Sequence, residues 1–202
     1  MLVEHLGQRP RIHPDAVIAP GAVVSGDVTV GADCQVLHGA VISAEGGPIV
    51  LGEHVIVMEN AVLRASSSDP LRIGDHCLIG PLASISGARI GDEVFIATGA
   101  RVFNGAVVGD RSEVRINAVV HLRTVLPPES TVPIAWVAVG DPAELFPPDQ
   151  HDAIWTRQSQ LDFPGYVFGV DRTTPDLMVQ LTERYARHLS RHADDRVIEP
   201  PA

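Results

Sequence analysis

A repeat of six residues governs most of this sequence. Branched aliphatic residues recur at every sixth position between residues 12 and 125, and a small residue follows most of them four positions later. Hexapeptide repeats are typical of a parallel β-helix in which three short strands complete one coil, so the pattern predicts about six coils. The inward-facing residues of the repeats are predicted to be Ile12, Ile18, Val24, Val30, Val36, Ile42, Leu51, Val57, Leu63, Ile73, Ile79, Ile85, Ile90, Ile96, Val102, Val108, Val114 and Val120.

The repeat is interrupted at three places, and all three fall at the same boundary between columns of strands. The step lengthens to nine and then to ten residues, which predicts short loops at 45–48 (EGGP) and 66–70 (SSSDP). The step shortens to five residues before Ile90, which indicates a tightened corner. One edge of the β-helix therefore carries the variation.

The pattern ends near Val125, and we predict residues 1–135 as the β-helical domain, with the hexapeptide repeats at 12–125. We predict an exit segment and C-terminal helices for residues 136–202, with helices over 149–160 and 174–193. In the second helix, apolar side chains spaced by four form one stripe that we expect to pack on the β-helix: Leu177, Leu181, Tyr185 and Leu189. The end of the chain, DDRVIEPPA (194–202), is predicted to be frayed.

Charge and composition exclude several classes of function. The net charge is −10, which argues against a nucleic-acid partner. All 15 basic residues are Arg, so chemistry that needs a lysine, such as a Schiff base, is excluded. Two Cys do not form a disulfide framework, and no apolar run approaches the ~20 residues that cross a bilayer. With no signal-peptide pattern at the start, we expect a cytoplasmic protein without membrane contact.

Four stretches resemble the γ-class carbonic anhydrase-like family: CQVLHGAVISAEGGPIVLG (34–52), MENAVLRA (58–65), IGDHCLIGPLASISGARIGDEVFIATGARVFNGAVVG (73–109) and VGDPAE (139–144). The resemblance implies a left-handed β-helix that assembles as a homotrimer. Active members of the family hold a zinc-type metal with three His at the subunit interface. The predicted fold class is thus mainly β, a left-handed parallel β-helix of about six coils with a C-terminal α-helical extension.

The resemblance also places the three metal-ligand positions of the family, and this chain has no His at any of them. Arg64, Pro81 and Ser86 occupy these positions. Arg offers no lone pair, Pro has no donor side chain, and a neutral Ser hydroxyl is a poor zinc ligand. We therefore predict no metal at this position, no cofactor, and no zinc-dependent hydration of CO2.

The altered site is predicted to be a pocket between subunits. Its candidate ligand-binding residues are Arg64, Glu59, Ser86, Ser43, Glu45, His38 and Asn104. One hypothesis is an ion pair between Arg64 and Glu59 across the interface, which replaces the metal. The other is that Arg64 captures the carboxylate or phosphate of a small anionic ligand, since a guanidinium suits such groups bidentately.

These observations leave three functions open. The first is a pseudoenzyme or a protein that binds an anionic small ligand. The second is a metal-independent enzyme for acyl transfer or hydrolysis at the same pocket, and the third is a CoA-dependent hexapeptide acyltransferase. His54 and His76 occupy equivalent positions on consecutive coils, about 4.8 Å apart. They could share a metal, but two exposed polar turn residues are the favoured interpretation.

Overall fold

The computed structural model describes residues 1–198, and these residues wind into a parallel β-helix followed by short helices. The strands are β1 (Leu2–Glu4), β2 (Arg11–Ile12), β3 (Val17–Ile18), β4 (Val23–Ser25), β5 (Val28–Val30), β6 (Gln35–Val36), β7 (Val41–Glu45), β8 (Ile49–Leu51), β9 (Ile56–Val57), β10 (Val62–Ser66), β11 (Leu71–Ile73), β12 (Leu78–Ile79), β13 (Ser84–Ser86), β14 (Arg89–Ile90), β15 (Phe95–Ile96), β16 (Arg101–Val102), β17 (Val107–Val108), β18 (Glu113–Val114), β19 (Val119–Val120), β20 (Val125–Leu126), β21 (Thr131–Val132), β22 (Val137–Val139), β23 (Glu144–Phe146) and β24 (Arg196–Ile198).

The strands form three sheets, which are the faces of the β-helix. Face 1 has the order β23-β22-β19-β16-β13-β10-β7-β4-β1-β24. Its two outermost strands are antiparallel to their neighbours, since β23 pairs with β22 and β24 pairs with β1. Face 2 has the order β2-β5-β8-β11-β14-β17-β20, and face 3 has the order β21-β18-β15-β12-β9-β6-β3. Each coil passes through face 2, face 3 and face 1 in turn.

The aliphatic residues of the repeat stack inside the β-helix as the sequence predicts. Leu63 pairs in register with Ile42 on one side and with Ile85 on the other, and all three are fully buried. Along β11 the side chains alternate, because Leu71 and Ile73 are buried while Arg72 is exposed. The period of two residues in a strand explains this alternation.

The β-helix continues one coil further than predicted. Leu126, Val132 and Ala138 keep the six-residue spacing after Val120, and all three are buried in β20, β21 and β22. The sequence analysis did not predict this coil, because prolines interrupt the repeat there and Ala stands in place of its last branched aliphatic residue. These prolines lie at corners between strands, where no ladder hydrogen bond is needed. The parallel β-helix with a helical extension is confirmed, but it has seven complete coils plus β1 rather than six.

The C-terminal helices are α1 (His151–Gln158), α2 (Phe163–Phe168) and α3 (Leu177–Leu189), with 3-10 segments at Ser159–Leu161 and Ser190–Asp194. The helix α3 begins later than predicted, because Asp176 just before it adopts a left-handed φ of 54°. Among the described residues, no helix has the length and apolar character that crossing a bilayer requires.

The end of the chain is ordered in a way that the sequence analysis did not predict. Strand β24 pairs antiparallel with β1, so that Leu2 faces Ile198 and Glu4 faces Arg196. The expectation of a frayed tail is therefore wrong up to Ile198. The remainder of that expectation, at 199–202, lies outside the described residues.

Neighbouring residues of β11 test the stacked core. We expect Ile73→Ala to lower the free energy of unfolding by about 2–5 kcal/mol, because it leaves a cavity between two coils. The matched control Arg72→Ala removes an exposed side chain from the same strand and should change it by no more than about 0.5 kcal/mol. Urea unfolding followed by circular dichroism measures both, and equal losses would contradict the inward orientation of Ile73.

Candidate functional site

The helices α2 and α3 lie over face 1 and leave a cavity of about 440 Å³ beneath them. We call this cavity the C-terminal cleft. Its β-helical wall includes Arg64, Ser86 and Asn104, and its helical wall includes Tyr185 and His188. The two walls come from distant parts of the same chain.

The register of face 1 brings three of the predicted residues into one column. Arg64 on β10 pairs with Ser43 on β7 and with Ser86 on β13. The strand spacing of about 4.8 Å sets the separation of their backbones. This column on face 1 therefore presents two hydroxyls and one guanidinium.

Arg64 is held by two contacts and remains partly open. Its Nη2 donates to Tyr185 Oη at 3.0 Å and lies 3.6 Å from Glu45 Oε1. The second distance is an ion-pair contact that is too long for a hydrogen bond. The side chain of Arg64 is 40% exposed, so its remaining donors are not enclosed by protein.

Glu45 is a buried charge beside the cleft. Its side chain is 8% exposed and accepts hydrogen bonds from Ser43 Oγ at 2.6 Å and from His192 Nε2 at 3.0 Å. Burial alone would raise the pKa of Glu45, but the hydrogen bond from Ser43 and the positive charges of His192 and Arg64 outweigh it and lower the pKa. Glu45 is therefore a carboxylate at neutral pH.

The loop at 66–70 anchors the helix α2 to the β-helix. Asp69 is buried and accepts hydrogen bonds from Tyr166 Oη at 2.7 Å and from Ser68 Oγ at 2.7 Å. Gly87 permits this close packing, since its φ is 47° and a Cβ there would lie 2.4 Å from Asp69 Cβ. Burial and the Asp69 carboxylate raise the pKa of Tyr166 to about 12, so the phenol stays protonated and donates.

The helix α3 supplies the basic and aromatic wall of the cleft. Arg184 Nη1 donates to the carbonyl of Gly169 at 2.8 Å, and the ring of Tyr185 packs edge-on against Phe168. Burial and the neighbouring Arg191 lower the pKa of His188, so that its imidazole is neutral at pH 7. The wall therefore presents a permanent cation and a neutral base.

The structure brings some of the predicted residues together and separates others. Arg64, Glu45, Ser86 and Asn104 line the cleft, and Ser43 supports Glu45. His38 is exposed and bonds through Nδ1 to the carbonyl of Pro20 at 2.5 Å, outside the cleft.

Glu59 is half-buried at the corner between faces 3 and 1, also outside the cleft. The pair of Arg64 with Glu59 was predicted between subunits, where it stays a prediction. Within the chain, the acidic neighbour of Arg64 is Glu45.

The sequence analysis missed the residues that close the cleft: Asp69, Tyr166, Arg184, Tyr185 and His188. Tyr185 appeared only as part of an apolar stripe, although its hydroxyl bonds to Arg64. Arg184 and His188 are four residues apart and therefore lie on one side of the helix, next to that stripe. This spacing was the signal in the sequence for a basic edge along the apolar stripe of α3.

His54 and His76 stack as predicted, with ring centroids 4.7 Å apart and an interplanar angle of 12°. His54 Nε2 lies 3.8 Å from Asp33 Oδ2, and half of the His54 side chain is exposed. The pair lies at the corner between faces 2 and 3, away from the cleft.

The bond between Tyr166 and Asp69 provides a test of how the cleft is closed. We expect Tyr166→Phe to lower the free energy of unfolding by about 1.5–3 kcal/mol, because a buried carboxylate loses a donor. The control Tyr185→Phe removes a hydroxyl whose partner Arg64 is more exposed, and it should cost about 0.5–1.5 kcal/mol. Urea unfolding measures both. A loss for Tyr166→Phe no larger than for Tyr185→Phe would contradict the anchoring role of Asp69.

Comparisons with known proteins agree with this architecture. The family model described as bacterial transferase hexapeptide (six repeats) matches residues 9–44 and 70–104. Gamma carbonic anhydrase 1, mitochondrial, from Arabidopsis thaliana is 29% identical over 62% of this chain and 48% of its own length. A probable carbonic anhydrase from Methanocaldococcus jannaschii is 38% identical over 42% of this chain and 54% of its own length.

A solved structure extends the likeness to almost the whole chain. The hexapeptide transferase family protein from Anaplasma phagocytophilum superposes with a TM-score of 0.52 at 18% identity, and the match covers 96% of this chain and 97% of that one. This likeness shows the fold alone. The chain spans about half the length of the curated relatives that it matches. With its coils, its repeat and these relatives, the chain is a hexapeptide-repeat β-helix protein that is similar to γ-class carbonic anhydrases.

Proposed function

We propose that this protein binds a small anionic ligand in the C-terminal cleft and does not hydrate CO2 with zinc. The single observation that carries the proposal is that the guanidinium of Arg64 is partly exposed in the cleft and, within the described residues, is not hydrogen-bonded to a carboxylate. This residue lines the cleft and is 40% exposed, and its only acidic neighbour within the described residues is Glu45, at 3.6 Å. The ligand is a molecule with a carboxylate or phosphate group.

The surroundings of Arg64 support an anionic ligand. A guanidinium carries five donors, and within residues 1–198 Arg64 makes one hydrogen bond, to Tyr185. A second guanidinium, from Arg184, lines the same cleft, as do the hydroxyls of Ser66, Ser67 and Ser68. The cavity volume of about 440 Å³ lies in the range of small-molecule sites, about 300–1,000 Å³.

The residues at the family's metal position do not fit a zinc ion. Arg64 places a positive charge where a cation would bind, and Ser86 next to it offers a neutral hydroxyl. Pro81, at the third position, has no donor atom in its side chain. We therefore derive no reaction step through a metal at this position.

A second candidate is metal-independent acyl transfer or hydrolysis in the same cleft, including transfer from CoA. The observation that favours it is the presence of Ser86 and His188 in one cavity. The pKa of His188 is lowered, so its imidazole is neutral at pH 7. Arg191 Nη2 lies 2.5 Å from its Nδ1 and 2.8 Å from its Nε2, so Arg191 would have to move before His188 acts as a general base. In this case Arg64 would hold the anionic part of the substrate.

Anion binding can be tested with three probes, namely inorganic phosphate, citrate and coenzyme A. We expect at least one probe to raise the melting temperature and to bind in calorimetry. Arg64→Gln should weaken this binding by about 10–150-fold, since a charged hydrogen bond contributes about 1.5–3 kcal/mol. The control Arg72→Gln removes an exposed Arg from face 2 and should leave the binding unchanged.

Three results would contradict the proposal. The first is that no probe binds, the second is that Arg64→Gln binds as well as the unmodified protein, and the third is that Arg72→Gln weakens binding equally. A stopped-flow assay with added Zn²⁺ tests the other half of the proposal. It should show CO2 hydration at the uncatalysed rate, and catalysis that is lost in a Ser86→Ala variant would contradict it.

We also expect a homotrimer, which the resemblance implies. Support comes from face 3, where Ile56, Leu78 and Phe95 stand in register on neighbouring strands. Ile56 and Phe95 are each 38% exposed, an apolar ladder that a single chain leaves in water. Light scattering should give three times the chain mass of 21.6 kDa, and Leu78→Glu should reduce it. A stable monomer, or a trimer unaffected by Leu78→Glu, would contradict this interface.

A further inference from the structure

Two histidines and an aspartate meet where the two ends of the chain pair. The strand β24 places Arg196 opposite Glu4, so that Asp195 lies beside His5. The 3-10 segment Ser190–Asp194 then brings His192 next to the same carboxylate. We call His5, His192 and Asp195 the terminal histidine cluster.

The nitrogen and oxygen atoms of the cluster converge. His5 Nδ1 lies 2.5 Å from Asp195 Oδ1, and His192 Nδ1 lies 2.8 Å from Asp195 Oδ2. The two imidazole rings are stacked with centroids 4.5 Å apart. One candidate ligand atom from each of the three residues can be chosen so that all lie within 4.8 Å of one another.

A second carboxylate, from Glu45, contacts the ring nitrogen of His192 that faces away from Asp195. Glu45 Oε2 lies 3.0 Å from His192 Nε2, and Glu45 is itself held by Ser43 Oγ at 2.6 Å. Metal-binding histidines usually donate their other N–H to a carboxylate, which fixes the tautomer and turns the free nitrogen toward the metal. In that tautomer, His192 donates from Nε2 to Glu45 and presents the lone pair of Nδ1 to the cluster.

Hydrogen bonds alone do not account well for the buried His5. Its side chain is 1% exposed, and its Nε2 has no hydrogen-bond partner among the described residues. A buried polar atom without a partner is unfavourable and calls for a compensating interaction. A bond from His5 Nδ1 to a metal ion would leave Nε2 without a partner, but its favourable free energy would offset the cost of burying the ring.

We propose that His5, His192 and Asp195 bind one divalent ion of the zinc type, with Glu45 as the outer carboxylate and water as the fourth ligand. Two imidazole nitrogens and one carboxylate oxygen match the donors that zinc accepts, whereas Mg²⁺ and Ca²⁺ prefer oxygen alone. Bonds of about 2.0–2.2 Å in a tetrahedron separate ligand atoms by roughly 3.3–3.5 Å. The present separations of 2.5 Å and 2.8 Å are shorter, so the ligand atoms would move apart to admit the ion.

This site differs from the family's metal position and from the proposed anion site, although Glu45 contacts residues of both the cluster and the cleft. It lies at the pairing of β1 with β24, whereas the family position is the column of Arg64 and Ser86 on face 1. A metal here would join the chain's last described strand to its first. Its role is therefore structural, and it would hold α3 over the C-terminal cleft.

The test uses the full chain after removal of metals with EDTA. Zn²⁺ binding is measured by competition with a chromogenic chelator, and Co²⁺ is used as a spectroscopic probe. We expect stoichiometric binding and the intense visible bands of tetrahedral Co²⁺. Asp195→Asn and His192→Gln should each weaken Zn²⁺ binding at least tenfold, and Glu45→Gln should weaken it by about 10–100-fold.

The other stacked histidine pair is the matched control. The double variant His54→Gln with His76→Gln removes two histidines at a similar ring distance and should leave Zn²⁺ binding unchanged. Asp195 and His192 are partly exposed, so their variants should keep the native circular dichroism spectrum even if His5→Ala does not fold. Binding that persists in Asp195→Asn and His192→Gln, or that is lost in the control, would overturn the proposal. So would an unmodified protein that binds Zn²⁺ no more tightly than these variants.

Discussion

Stacking of aliphatic side chains between successive coils sets the position of each strand in the β-helix. Leu63 rests on Ile42 and beneath Ile85, and the same contact is repeated along all three faces. Burial of apolar surface contributes roughly 25 cal/mol per Å², so a shift of register that exposed one column would be strongly unfavourable. The stacked core therefore fixes the order of polar residues outside it, including the column of Ser43, Arg64 and Ser86.

The departures from the repeat have a clear physical role. The two inserted loops leave the β-helix at the edge where the helices return, and Asp69 in the second loop receives the hydroxyl of Tyr166. Gly87, after the shortened corner, leaves room for this contact. A regular β-helix would present a flat face there, whereas these insertions create a cleft that is closed by α2 and α3.

Glu45 connects the two polar sites of the molecule. On one side it is the acidic neighbour of Arg64 in the C-terminal cleft, and on the other it bonds to His192 of the terminal histidine cluster. Both contacts lower the pKa of its carboxyl group against the effect of burial. A change in the charge at one site therefore alters the electrostatic environment of the other, because the buried Glu45 carboxylate contacts both.

The sequence by itself determined the β-helix, its stacking register, the two loops and the stacking of His54 on His76, because each of these follows from a local period of six residues. The register of the repeat and the resemblance to the family together named Arg64, Glu45, Ser86 and Asn104 as candidates, and all four line the cleft. Only the tertiary structure decided that the cleft is closed by the chain's own helices, with Tyr166 and Tyr185 as donors. It alone placed His5 beside His192, which follow no common period and are 187 residues apart. Contacts between distant segments depend on how the helices fold back over face 1, and no repeat in the sequence encodes that path.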